Sequence, residues 1–206
     1  PAYRLVKAAY APLLPLLPEI DARLAQGKRT VLAIDGPCGS GKTTLAALLA
    51  RLYDCPVFHA DDFFLRPEQR TPARFAEPGG NLDRERLLEE VLAPLRQGQP
   101  ISFRRFDCHS LTLLPPVAVA PSSLAVVEGS YSLHPALATR YDISVCLTLS
   151  PELQRRRILA RNGEAMARRF FERWIPLEQA YFDAMKPQTR CGFLIEADQL
   201  SDEAPL

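Results

Sequence analysis

The sequence carries almost no net charge: 25 lysines and arginines face 24 acids, a balance of +1. Such a balance provides no global field to hold nucleic acid or an anionic membrane surface, so neither is expected as a partner. Long apolar runs are missing too, and none approaches the roughly 20 residues of a membrane span. The first residues lack the basic stretch, apolar core and cleavage site of a secretory signal. The five cysteines, at 38, 55, 108, 146 and 191, are odd in number, widely spaced and without a C-x-x-C pair. That argues against disulfides or zinc and for reduced thiols in a cytoplasmic protein. What the chain does have is apolar material, 47% of its 206 residues. This suffices for the core of one domain, with at most a small lid.

The stretch Gly36-Pro37-Cys38-Gly39-Ser40-Gly41-Lys42-Thr43 fits G-x-x-x-x-G-K-[ST], the phosphate-binding loop. The motif needs a strand before it and a helix after it. Val31-Leu32-Ala33-Ile34 supplies an apolar, β-branched run of strand length, and residues 44–52 supply helix formers. Glycines let backbone N–H groups turn inward without Cβ clashes, and the new helix aims its positive end at an anion. Residues 36–43 together with Thr44 are therefore the expected nucleotide-binding set. Lys42 is expected to reach the β- and γ-phosphates and the Thr43 hydroxyl to ligate Mg²⁺, which makes ATP and Mg²⁺ the expected cofactors. Cys38 is either filler in this loop or a thiol whose pKa the surrounding N–H groups lower.

The remaining chain reads as alternating strands and helices. Residues 1–28 form a helical extension with an apolar stripe of Leu13, Leu14, Leu16, Leu17, Ile20 and Leu24. Prolines at 12, 15 and 18 confine any regular helix to the part from Pro18, and Gly27 ends it. Residues 29–206 make the main domain. A second parallel strand at 56–60 ends in Asp61-Asp62-Phe63-Phe64, and carboxylates at that end of an α/β strand sit where ligands bind; one of the two is expected merely to cap the turn. Residues 65–81 form a long loop over the active face, and 83–95 an amphipathic helix. Residues 101–106 alternate and pair with 117–119 in a hairpin spanning about 100–120, inserted near the substrate, with Asp107 and His109 in its loop. Residues 124–129 form a buried strand closing on Glu128, the pattern of a metal-side carboxylate, and 143–149 another. Ser150 and Pro151 then open a helix as N-cap and first-turn proline. Seven arginines between 155 and 173 make a lid that closes on phosphates, with Asn162-Gly163 as its break. A helix from 170 to 185 kinks at Pro176, and 193–195 is a last strand.

In order and spacing, these segments resemble uridine kinase and its relatives, the nicotinamide riboside kinase and phosphoribulokinase group, from about residue 31 to 195. The more specific marks are Asp61-Asp62-Phe63-Phe64, Asn81-Leu82-Asp83, and Glu128-Gly129 ahead of the arginine lid. The stretches from Glu128 to Pro135 and from Trp174 to Glu178 look like a bacterial uridine-kinase-like branch. The resemblance implies an α/β, three-layer P-loop NTPase fold: a mostly parallel five-stranded sheet, helices on both faces, an arginine-rich lid and a small β-hairpin insertion. It makes Asp61 the base that orients or deprotonates the acceptor hydroxyl, Glu128 a second holder of Mg²⁺, and Asp83 a ligand of ribose hydroxyls. Arg157 and Arg161, one helical turn apart, become the lid arginines that neutralise the transferred group, with Arg156 as an alternative. The substrate set is then Asp61, Phe64, Asp83, Phe106, His109 and Tyr131.

One departure bears on the acceptor. Uridine kinases carry Tyr-Asp ahead of His-Ser in the base-binding hairpin, whereas here Phe106-Asp107 is followed almost at once by His109-Ser110. The loop is shorter and a tyrosine hydroxyl is gone, which weakens base recognition but leaves kinase chemistry in place. The expected function is ATP-dependent phosphoryl transfer to a small-molecule alcohol, first of all the 5′-hydroxyl of a nucleoside such as uridine or cytidine. Nicotinamide riboside, pantothenate or a sugar are alternative acceptors, and a regulatory ATPase without an acceptor is the alternative class. A GTPase switch is disfavoured by the lack of an N-K-x-D motif. A homo-oligomer is left open.

Overall fold

Successive side chains of a strand face opposite ways, so a strand that is apolar at every position must be covered on both sides. A computed structural model describes residues 8–199; residues 1–7 of the expected N-terminal extension lie outside them. The strands in chain order are β1 (Thr30–Asp35), β2 (Val57–His59), β3 (Ile101–Phe103), β4 (Phe106–Asp107), β5 (Thr112–Leu113), β6 (Val117–Val119), β7 (Leu124–Glu128), β8 (Ile143–Thr148) and β9 (Phe193–Glu196). Five of them form one parallel sheet in the order β2-β7-β1-β8-β9. The phosphate-loop strand β1 is central and buried at all six positions.

Both faces of the sheet are layered. On one, Leu32, Ile34, Val126 and Val145 pack against Leu16, Leu17 and Ile20 of α1 (Leu16–Ala25) and Leu45 and Leu49 of α2 (Lys42–Tyr53). On the other, Val31, Phe58, Ala125 and Val127 meet Leu87, Val91 and Leu92, from the helical run 84–97, together with Ile101, Phe103 and Tyr181. Each such side chain contributes on the order of 1.5–3 kcal/mol by leaving water. A short helix α3 (Pro72–Ala76) punctuates the 65–81 loop. The later helices are α4 (Arg84–Leu87), α5 (Ala93–Gln97), α6 (Pro135–Ala138), α7 (Pro151–Arg169) and α8 (Ile175–Met185).

Several local expectations are refined. Helix α1 starts two residues before Pro18, because a proline in the first turn lacks only an N–H that would have had no partner. The kink expected at Pro176 is a wide π turn over Phe170–Trp174 that ends just before it. A second π turn, Leu88–Leu92, precedes Pro94 in the same way, where a ring without an N–H interrupts the ladder. The 101–119 insertion is one hairpin path broken into two antiparallel ladders, β3 with β6 and β4 with β5. Gly163 has non-helical angles (φ 69°, ψ 169°) and breaks α7. Ser150 precedes α7 without capping it; its hydroxyl donates instead to Asp198.

Parallel strands place their C-terminal ends together. Ile34, His59 and Glu128 are in register across β1, β2 and β7, so the loops that follow these strands share one rim. Gly129 makes that closeness possible: its φ is +142°, and a Cβ there would lie 2.5 Å from Ala60 Cβ. Gly129→Ala should therefore destabilise the chain by about 3 kcal/mol or more, combining overpacking with an unfavourable backbone conformation. Urea unfolding of the variant against wild type measures it.

Candidate active site

The phosphate loop leaves β1 through glycines with φ of +149° at Gly36, +81° at Gly39 and +90° at Gly41. At Gly36 a Cβ would meet the Leu147 carbonyl oxygen at 2.7 Å, so the loop lies hard against β8. Lys42 is buried, and its Nζ donates to the carbonyls of Gly36 (2.8 Å) and Pro37 (3.0 Å), spanning the loop. Ser40 Oγ is buried with no partner among the described residues. An orphan hydroxyl, a lysine across the loop and an incoming helix N-terminus fit a polyphosphate. The Thr43 hydroxyl donates to Glu128 Oε1 at 3.1 Å, and His59 Nδ1 lies 2.5 Å from the same oxygen. Glu128 holds the His59 pKa above its usual value. A hydroxyl and a carboxylate at this spacing suit Mg²⁺, which keeps most of its shell for water and phosphate oxygens.

These groups open on a cavity of about 890 Å³. The structure brings Cys38 through Thr44, Asp61, Phe64, Glu128, Tyr131, Arg156, Arg157 and Arg161 to its wall. Gly36 and Pro37 lie at the root of the loop and do not line it. Asp61 is open to water within the cleft but hemmed by protein; desolvation raises its pKa, Lys42 opposes that, and Glu128 and Glu178 add to it. Arg157 donates to the Gly39 carbonyl at 3.3 Å, so the lid helix already touches the phosphate loop. Arg161 stacks over Phe170 (5.7 Å), whereas Arg168 pairs outward with Glu172.

Three expected substrate residues are elsewhere. Asp83 is buried as the N-cap of α4, accepting from the Arg86 N–H at 3.1 Å and lying 3.5 and 3.7 Å from the Arg86 and Arg66 side chains. One carboxylate oxygen caps the helix start, the other lies buried near two guanidinium groups without a hydrogen bond among the described residues, and Asp83 does not line the cavity. Phe106 is buried under Arg70 (5.5 Å), and His109 is exposed. The cause is local: Asp107 accepts from the His109 N–H, the Ser110 N–H and the Ser110 hydroxyl at 2.9, 3.2 and 2.7 Å, a tight turn that leaves Cys108, not its neighbours, on the cavity wall. The lowered-pKa reading of Cys38 is also corrected. Burial and the nearby Glu178 push its thiol up to about 12.

Sequence reading missed Glu178. From α8 its carboxylate accepts the Cys38 N–H at 2.9 Å and the Ser130 hydroxyl at 2.5 Å, clamping the phosphate loop to the segment after β7. Only its place in the Trp174 to Glu178 stretch signalled it. Leu13, from the N-terminal extension, reaches the cavity beside Thr44 and Leu48, and no pattern announced that either.

No family model matches the chain. A 49-residue stretch is 53% identical to a mycobactin import ATP-binding/permease protein of Mycolicibacterium smegmatis, but this is 24% of the chain and 6% of that protein. A dephospho-CoA kinase of Rhodopseudomonas palustris is 32% identical over 143 residues, covering 65% of this chain and 71% of that one. The chain belongs to the P-loop kinases. Solved structures similar to this P-loop kinase have the uridine kinase-like fold. They include a possible uridine kinase of Bacillus stearothermophilus (TM-score 0.63, 23% identity, 88% of this chain and 99% of that one). A candidate fructose transport system kinase of Silicibacter sp. TM1040 gives a TM-score of 0.66 at 23% identity over 87% of this chain and 96% of that one. At these identities the structures speak for the fold alone. No helix among the described residues of this kinase is long and apolar enough to cross a membrane.

The root of the loop carries a pH signature. Asp35 is completely buried, and desolvation raises its carboxyl pKa to about 6 against the hydrogen bonds it accepts. The folded chain then binds the proton more tightly than the unfolded one, so Asp35 costs stability as pH rises from about 4 to about 6, in all about 3 kcal/mol. Urea unfolding across that window should show this fall in wild type, and Asp35→Asn should lack it.

Proposed function

We propose that this protein transfers the γ-phosphoryl group of ATP to the hydroxyl of a small molecule, with Asp61 as the base. The observation that carries the reading is that Asp61 lines one cavity with Lys42, Thr43, Glu128 and the lid residues Arg157 and Arg161. ATP bound with Mg²⁺ supplies the phosphoryl group and a first neutralisation of its charge. The chain's own groups do the rest. Lys42 and the loop N–H groups hold the phosphates. Thr43 and Glu128, bonded to each other, are the pair to hold the ion. Asp61 accepts the hydroxyl proton as the alcohol attacks, and burial, with Glu128 and Glu178 adding to it, makes it a stronger base than a free carboxylate. Arg157 and Arg161 sit on one face of α7 and meet charge developing on the transferred group. The break at Gly163 and the π turn over Phe170–Trp174 let this helix close and exclude water that would otherwise compete as acceptor.

The acceptor is weighed by the same residues. The nucleoside expectation leaned on Asp83, Phe106 and His109, which do not line the cavity, so uridine or cytidine retains only the support of the fold. The dephospho-CoA kinases among the relatives add an acceptor of a different character. Against a regulatory ATPase stands the extent of the cavity, which runs from the phosphate loop to Asp61, Phe64 and Arg70, a wall that a switch without an acceptor does not need.

Asp61→Asn should lower kcat by about 10²- to 10⁴-fold in a coupled ADP-release assay while ATP binding by calorimetry is kept. Because the Asp61 pKa is raised, the wild-type rate should fall on the acid side at a pH above the usual carboxylate range, and the residual rate of the variant should lack that limb. Near-normal turnover would remove Asp61 as base. Glu128→Gln should raise the Mg²⁺ concentration needed for half-maximal rate several-fold, read from a magnesium titration at fixed ATP.

A further inference from the structure

Besides the arginines assigned to the phosphates, the cavity wall carries two further cations. Arg70 and Arg173 line the wall, and neither has a carboxylate partner among the described residues. Arg173 is held by rings, its guanidinium 4.9 Å from Trp174 and 6.0 Å from Phe75. Arg70 lies over Phe106 and donates from Nε to the Leu65 carbonyl at 2.9 Å, which leaves its terminal nitrogens to the cleft. Other arginines between residues 65 and 106 are paired, Arg66 with Glu68, Arg74 with Glu85, Arg84 with Glu77 and Arg105 with Asp62, whereas the lid's Arg161, like Arg173, is held over a ring. Both cations share the cavity wall with Asp61. Arg70 follows from the same strand end as Asp61, and the fields of both reach the Cys108 thiol between them. Arg173 lies over Phe75 of the 65–81 loop, and both line the cavity with Asp61. Aromatic rings hold a guanidinium without neutralising it, and its planar fork then matches a carboxylate or phosphate ester.

We propose that the acceptor is an anionic alcohol, whose carboxylate or phosphate group is clasped by Arg70 and Arg173 while its hydroxyl meets Asp61. This rests on the kinase reading above and names its substrate class. It also accounts for the lost nucleoside contacts: a charge clamp stands where the family reads a neutral base.

The experiment is calorimetric binding to the full chain loaded with ADP and Mg²⁺, using matched pairs: pantothenate against panthenol, and dephospho-CoA against adenosine. The anionic member of at least one pair should bind, and its neutral partner should bind at least about tenfold more weakly. The pair that responds tells carboxylate from phosphate ester. Arg70→Gln and Arg173→Gln should each weaken the anion about tenfold or more, with ATP affinity unchanged; Arg173→Lys, which keeps charge but loses the fork, should recover part of it. Equal binding of neutral and anionic partners, no binding of either anion at millimolar concentration, or no effect of the glutamine variants would overturn the proposal. The kinase reading fails on a separate result, ADP release that no added alcohol stimulates.

Discussion

The carboxylate of Asp35 is the joint on which the site turns. It accepts four hydrogen bonds: from the N–H groups of Gly36 (2.7 Å), Tyr131 (3.1 Å) and Leu133 (2.9 Å), and from the Tyr181 hydroxyl (2.7 Å). One side chain thus joins the first residue of the phosphate loop, the segment after β7 and helix α8 at the base of the lid. Each partner needs it. Tyr131 sits at φ +76°, a strained conformation for a non-glycine residue that only surrounding contacts can hold. Tyr181 is fully buried, and its hydroxyl would otherwise be an unsatisfied donor in the core. The charge is costly to bury, yet four donors in a dry setting make it rigid.

A second clamp lies above the first. Glu178 repeats the logic one turn earlier in α8, taking the Cys38 N–H and the Ser130 hydroxyl. Two carboxylates therefore couple α8 to the phosphate loop at two heights, and α8 is the continuation of the lid through the π turn over Phe170–Trp174. The lid is anchored by buried hydrogen bonds at its α8 end and broken at Gly163, and on the other side of that break Arg157 is itself bonded to the phosphate loop.

Particular residues show what could be read beforehand. The strands at 31–34, 124–128 and 143–148 announced themselves because parallel strands buried on both faces are apolar without interruption. The phosphate loop was readable because its chemistry is local: glycines, a lysine and a threonine fixed by backbone geometry over eight positions. The substrate side was not. Asp83 reads the same whether it caps a helix or holds a sugar, since both uses need a carboxylate before α4. His109 reads as a loop ligand until Asp107 is seen to fold the turn on itself. Glu178 reads as one acid on an amphipathic helix, because its partners are 140 and 48 residues away.

The sequence by itself determined the phosphate-loop motif, the order of strands and helices and the arginine-rich segment that follows β8, because each depends on spacings of a few residues. Only the tertiary structure decided which charges face the cleft. Parallel packing brings β1, β2 and β7 to one rim, placing Asp61 and Glu128 together, and α8 adds Glu178 to them. Nearby carboxylates such as Glu68, Glu77 and Glu85 are consumed in pairs, while Arg70 and Arg173 have no carboxylate partner among the described residues. Which charges stay unpaired is a property of the whole fold, since it depends on every partner that folding brings within reach.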